Sequence, residues 1–102
     1  MNKKLNEILE KYDENYIIEK NPIIGEILEE KKHFFLINFE DEVYNINLDY
    51  VIRNKEGKIM FVILDKNDKH LDLVDHFLNK NGIRTINKND LELIESFMRN
   101  NL

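Results

Sequence analysis

The chain contains no cysteine, which excludes disulfides and thiolate metal ligands alike. Tryptophan is also absent, and one proline with three glycines leaves little material for linkers or low-complexity segments in 102 residues. No internal repeat is found. The longest apolar run, Ile59 to Leu64, falls far short of the roughly 20 residues of a membrane-spanning helix. The basic start Met1-Asn2-Lys3-Lys4-Leu5 is not followed by the apolar core of a signal peptide. The expectation is a single cytoplasmic domain over residues 1–102, with one modest core and no membrane segment.

Charge of the positive sign is in deficit. Fifteen basic residues against twenty acidic ones give a net charge of −5, so the field of the whole molecule repels phosphate backbones. A local basic face remains open to Lys55, Lys58, Lys66, Lys69, Lys80, Arg84 and Lys88 in the second half. Phe34, Phe35, Phe39 and Phe61 alternate with other apolar residues, as core residues do. A base-stacking platform would interleave them with Lys or Arg. The balance points to a protein partner rather than free nucleic acid; it does not speak to oligomeric state.

Periodicity orders the chain. Leu5, Ile8, Leu9 and Tyr12 recur at helical intervals behind Asn2, a suitable N-cap. After Pro22, residues Ile23, Ile24, Ile27 and Leu28 fit one face of a short helix, with a strand beginning at Gly25 as the alternative. His33 to Phe39 reads as a strand, and Glu40-Asp41-Glu42 as a solvated turn. Ile46, Leu48, Tyr50 and Ile52 alternate as the buried face of a second strand, which places Asn47, Asp49 and Val51 opposite. Asn54-Lys55-Glu56-Gly57 is a hairpin connection.

The uninterrupted run Ile59–Leu64 suits a central strand covered on both faces. A helix then begins near Asn67 or Asp68, with Leu71, Val74, Phe77 and Leu78 inward and Gly82 as its left-handed cap. Ile83 to Ile86 forms a short strand. Asn89-Asp90-Leu91-Glu92 opens a last helix carrying Leu91, Ile94, Phe97 and Met98. The predicted fold class is α/β (α+β): a small mixed sheet of about four strands flanked by helices.

Two acidic residues stand out by position. Asp49 lies in the alternating run and Asp65 closes the run Ile59–Leu64, so a hairpin brings them together. Carboxylates on adjacent strands are what a divalent-metal nuclease needs to activate water and stabilise a leaving oxygen. The bland alternative is a solvent-facing Asp49 and an Asp65 that simply begins a loop. His70, in the first turn of the next helix, is a candidate ligand or general base, or else a surface residue. His33 and His76 have no supporting neighbours.

Taken in order, these segments resemble the PD-(D/E)xK nuclease superfamily, in particular its compact very-short-patch-repair-like branch. The resemblance is carried by Leu48-Asp49-Tyr50-Val51, by Val62-Ile63-Leu64-Asp65, by His70, by Asp72 and Asp75, and by Gly82-Ile83 with Ile86. Asp90-Leu91 then opens the final helix, and the segment from Tyr16 to Ile27 is similar to the opening of that branch. About half the chain is covered well and about four fifths loosely, and the ordered set is more specific than any single motif.

The resemblance implies a restriction-endonuclease-like core and Asp49 and Asp65 as metal ligands, with His70 beside them and Mg²⁺ as the cofactor of an active form. The sequence departs from the pattern at Ile63, where the family carries its strand glutamate. The lysine found two residues later in many members is replaced by Asp65. Glu26 is a candidate third carboxylate, and Lys66 would reach the site only if the strand end twists.

Three readings follow. The first is a small acidic nuclease-fold protein, catalytically impaired, that acts by binding a protein or nucleoprotein partner, for instance as an inhibitor in a phage or mobile-element defence setting. The second is an active Mg²⁺-dependent endonuclease of DNA or RNA with a rearranged site. The third is an unrelated small α/β inhibitor or immunity protein.

Overall fold

The computed structural model describes residues 2–30 and 46–102, the side chain of Leu28 excepted. The expected strand His33–Phe39 and the turn Glu40–Glu42 lie outside the described residues. Four strands form one mixed sheet in the order β1-β2-β3-β4. They are β1 (Ile17–Lys20), β2 (Tyr50–Arg53), β3 (Ile59–Leu64) and β4 (Thr85–Asn87). Among the described residues the helices are α1 (Lys3–Lys11), α2 (Ile24–Glu29), α3 (Asp72–Lys80) and α4 (Leu91–Asn100). The architecture is α+β, as the periodicity implied, and no helix among the described residues is long and apolar enough to cross a membrane.

β3 is the centre of the sheet. It pairs antiparallel with β2 (Val51 opposite Val62) and parallel with β4 (Ile63 opposite Ile86). Both of its faces are covered. Val62 and Leu64 join Ile24, Ile27, Val74 and Leu78 from α2 and α3. Phe61 and Ile63 join Leu5, Leu9, Ile94 and Met98 from α1 and α4. This explains a six-residue run without a polar interruption: with helices on both sides, Phe61 to Leu64 are fully buried, and only Ile59 and Met60 at the start of the strand are partly exposed.

The hairpin between β2 and β3 is built by Asn54. Its side-chain oxygen accepts the N–H of Glu56 and of Lys58, at 3.0 and 2.9 Å. Gly57 takes φ 88°, which a side chain would resist. Arg53, at the end of β2, donates to the Gly57 carbonyl (3.0 Å) and to Glu30 (2.9 Å), and lies 3.8 Å from Glu19. These bonds tie the end of α2 to the hairpin. The Glu30 carboxylate in particular raises the Arg53 pKa, so the guanidinium stays charged.

Helix boundaries follow side-chain caps. Asn2 accepts the Leu5 N–H at 3.0 Å and Asp90 accepts the Leu93 N–H at 3.3 Å. Asp68 caps a 3₁₀ turn, Lys69–Leu71, that leads into α3. Gly82, at φ 77°, ends the excursion, and the Ile83 N–H returns to the Leu78 carbonyl at 2.9 Å. Leu71, Val74 and Leu78 are buried as their spacing implied, whereas Phe77 is only half-buried.

The segment after Pro22 forms the expected short helix, not the alternative strand from Gly25. One element was missed and one reading needs correction. β1 was not anticipated, because four residues with partly exposed side chains at the sheet edge carry no clean alternation. The alternation from Ile46 to Ile52 does not run through. Leu48 packs with α2 and α3, whereas Tyr50 and Ile52 face α1 and α4, and Val51 is fully buried on the first side. The cause is a bend at Asp49: the Leu48 N–H bonds the Pro22 carbonyl, and ladder pairing starts only at Tyr50. Asp49 therefore precedes the strand instead of sitting within it.

The helix layer of α1 and α4 is pinned by a buried hydrogen bond from the Tyr16 hydroxyl to the Met98 carbonyl, at 2.7 Å. That carbonyl belongs to the last turn of α4, where intrahelical partners run out. Tyr16→Phe is expected to cost about 1–2 kcal/mol in urea unfolding, because it orphans a buried acceptor without changing the ring. Ile63→Glu places an unpaired carboxylate at a position with no solvent exposure. It is expected to remove about 5 kcal/mol or more, comparable to the stability of a small domain, and to leave the chain unfolded by circular dichroism.

Candidate functional site

One end of β3 gathers the charged residues. Asp49 is held at the bend by two backbone bonds: its N–H donates to the Ile63 carbonyl (3.2 Å), and its carbonyl accepts the Asn21 N–H (2.9 Å). Asn21 takes a left-handed φ of 48°, a conformation asparagine tolerates better than most residues. Asp65 follows Leu64 directly, and its Oδ1 accepts the Asn67 N–H at 3.0 Å in an Asx turn. From the parallel neighbour β4, the Lys88 N–H donates to the Leu64 carbonyl at 2.9 Å. The Lys88 ammonium then reaches Asp65 Oδ2 at 3.7 Å.

The Asp49 carboxyl is partly withdrawn from water. Burial raises its pKa, the Lys88 charge opposes that rise, and the Asp65 carboxylate adds to it. The two acids picked out from the sequence are therefore close enough to sense each other. Lys88, seen in the sequence only as one of several scattered lysines, pairs with Asp65 and lines the same cleft as Asp49. The signal that could have singled it out is its place directly after the parallel strand β4, since ligands of open α/β sheets gather at the carboxyl ends of strands.

A cleft of about 750 Å³ opens at this point, against the start of α1 and the turn after β1. Lys3, Lys4, Lys20 and Lys88 line it, and Asp49 is its one acidic residue. Tyr50 closes one side through a hydrogen bond from its hydroxyl to Asn6 Oδ1, at 3.1 Å. The local basic face thus comes mainly from the N-terminal half; apart from Lys88, the second-half lysines named above do not line it. A larger concavity of about 900 Å³ lies between α1 and α4. Part of its charge is paired, with Lys11 and Arg99 at 3.4 and 3.8 Å from Glu95.

His70 is exposed on the 3₁₀ turn, with its backbone N–H on Asp68 Oδ1 at 2.9 Å. Glu26 is exposed on α2, the helix that packs on the opposite side of the sheet from α1 and α4. Among the described residues, no group of three or more Asp, Glu or His side chains is placed to hold a metal ion. Neither His70 nor Glu26 therefore completes the pair. Asp72 is exposed. Asp75 accepts the Thr85 hydroxyl, which joins α3 to β4, and lies 4.0 Å from Lys66. The helix aspartate and Lys66 thus have structural partners of their own.

Among the described residues the donor set does not fit a catalytic divalent metal: two carboxylates are too few, and one of the two already carries an ammonium. Comparison with protein-family models, with curated proteins and with solved structures finds no match.

The elevated pKa of Asp49 fixes the sign of its pH dependence. The folded state holds the proton more tightly than the unfolded chain, whose aspartate titrates near about 3.9. The cost of ionising Asp49 is absent below that value and grows as pH rises through the folded-state pKa. Asp49→Asn is therefore expected to raise Tm at pH 7 by about 2–4 °C, a surface-scale effect. The gain should vanish by about pH 3 in a scan of Tm against pH.

Proposed function

We propose that this chain is a nuclease-like domain that works by binding, with a protein or nucleoprotein as its partner, and that its catalytic site is impaired. The resemblance to the PD-(D/E)xK superfamily supplies the outline, and the order of elements from β2 to α4 agrees with it. Ile63 is the observation that carries the reading. It stands at the glutamate position of the resemblance and is wholly enclosed by Leu5, Tyr16, Ile86 and Met98 among others. An aliphatic side chain there neither ligates a metal nor polarises water.

The net charge of −5 favours a protein surface over a bare polyanion as the main partner. The basic cleft would then meet an acidic element of that partner. A small inhibitor or immunity factor fits this description. A second reading is favoured by one specific observation: Asp49 and Lys88 line one cleft, and Lys88 also pairs with Asp65 at the end of β3. Those are the residue types of an Mg²⁺-dependent endonuclease, with the lysine supplied from β4 instead of β3.

Incubation of the purified protein with duplex DNA, single-stranded DNA and RNA in Mg²⁺ or Mn²⁺ separates the two. No cleavage above that of an Asp49→Ala, Asp65→Ala double variant is expected. Metal-dependent cleavage that Asp65→Ala or Lys88→Ala abolishes would establish the endonuclease instead.

A further inference from the structure

The cleft at the end of β3 collects positive charge that the molecule as a whole lacks. Lys3 and Lys4 reach it from the first turn of α1, Lys20 from the end of β1, and Lys88 from the residue after β4. Four lysines against one acid, Asp49, give the cleft +3 in a chain of net −5. Lys3, Lys4 and Lys20 have no ion pair among the described residues. Their backbone is held in place. Asn2 caps the start of α1, and Asn21, beside Lys20, accepts Asn47 Nδ2 at 2.8 Å and donates its N–H to the Asp49 carbonyl at 2.9 Å. Lys4 also lines the concavity of about 900 Å³ between α1 and α4. One helical turn further along α1 comes Glu7, with Glu92 of α4 in the same lining, and neither has an ion pair among the described residues. Beyond Lys4 three acids stand against two bases, so the surface changes sign there.

We propose that the two recesses receive one segment of a protein partner whose charge reverses along its length: its acidic residues enter the lysine cleft, and its basic residues pass Lys4 to meet Glu7 and Glu92. The inference deepens the binding reading above and rests on it, since it names the chemistry of the partner. A nucleic acid is negative throughout, so the part of it lying beyond Lys4 meets more acid than base and is repelled. A wholly acidic peptide meets the same repulsion. A segment with an acidic and a basic block finds opposite charge in each recess. Any other register sets like charges against each other, which is how a charge pattern supplies specificity.

The test is fluorescence anisotropy with labelled peptides of about ten residues, roughly 33 Å when extended and long enough to enter both recesses. One peptide joins an Asp/Glu block to a Lys block, a second carries the blocks in the opposite order, and a third is Asp/Glu throughout. Single-stranded DNA of equal length is the fourth probe. In about 150 mM salt, one of the two block orders is expected to bind at least about tenfold more tightly than the all-acidic peptide or the DNA. Lys3→Gln with Lys20→Gln should weaken that peptide about tenfold. Glu7→Gln with Glu92→Gln should weaken it about fivefold and strengthen the all-acidic peptide. Lys69→Gln with Lys80→Gln, outside both recesses, should change neither. All six positions are exposed, so each variant should keep the Tm of the natural protein. Block peptides that bind no better than the all-acidic peptide or the DNA overturn the inference. So does equal weakening by the Lys69 and Lys80 control, or no response to the glutamate pair. The two proposals fail separately. Metal-dependent cleavage with the block preference intact sinks only the impaired-site reading. No preference and no cleavage sinks only the charge-reversing segment.

Discussion

The rest of the structure depends on enclosing β3 from four directions. Its two edges are paired with β2 and β4, and its two faces are covered by helix layers that share no member. Phe61, Val62, Ile63 and Leu64 have no measurable exposure. At about 1.5–3 kcal/mol for each fully buried side chain, this one strand supplies a large part of the gross hydrophobic stabilisation of a small domain. The enclosure also fixes the ends of the strand, and the charged residues inherit their positions from those ends. Asp49 and Lys88 are placed by carbonyls of β3, not by contacts of their own side chains.

The same enclosure limits the chemistry. A strand with water on one face can carry a carboxylate toward a cleft, and this one has no such face at Ile63. Its charged groups are confined to the terminus, where Asp65 turns out of the sheet. The consequence is a site with few donors at the rim of a lysine-edged cleft, in a protein that is acidic overall. That combination of a local basic recess and a negative envelope suits recognition by shape and local charge better than the tracking of a long phosphate backbone.

Much of this was legible in the sequence, for identifiable reasons. β3 announced itself because double burial removes every polar residue, and α1, α3 and α4 because caps and helical spacing agree. That Asp49 and Asp65 come to the same end of β3 was legible from the hairpin. What was not legible depends on tertiary contacts. The Asp49 bend is imposed by Pro22 and Asn21, which lie far away in the chain. The face on which each residue of the 46–52 segment packs changes at that bend. β1 is an edge strand whose identity comes from its partner and not from its own pattern. Lys88 gained its role from the parallel register of β3 and β4, which no local spacing encodes.

The bond from Tyr16 to Met98 bridges 82 positions of sequence, whereas β2 and β3 are joined by a turn of a few residues. Chain entropy opposes the longer closure more strongly, and it repays that cost only after the sheet exists to receive both helices. Assembly should therefore run outward from the hairpin and the β3–α3–β4 crossover, with the α1–α4 layer arriving last. The layer that shields Ile63 is then also the one whose transient release would first admit water to the sheet. In hydrogen exchange, the amides of α1 would lose protection before those of β3.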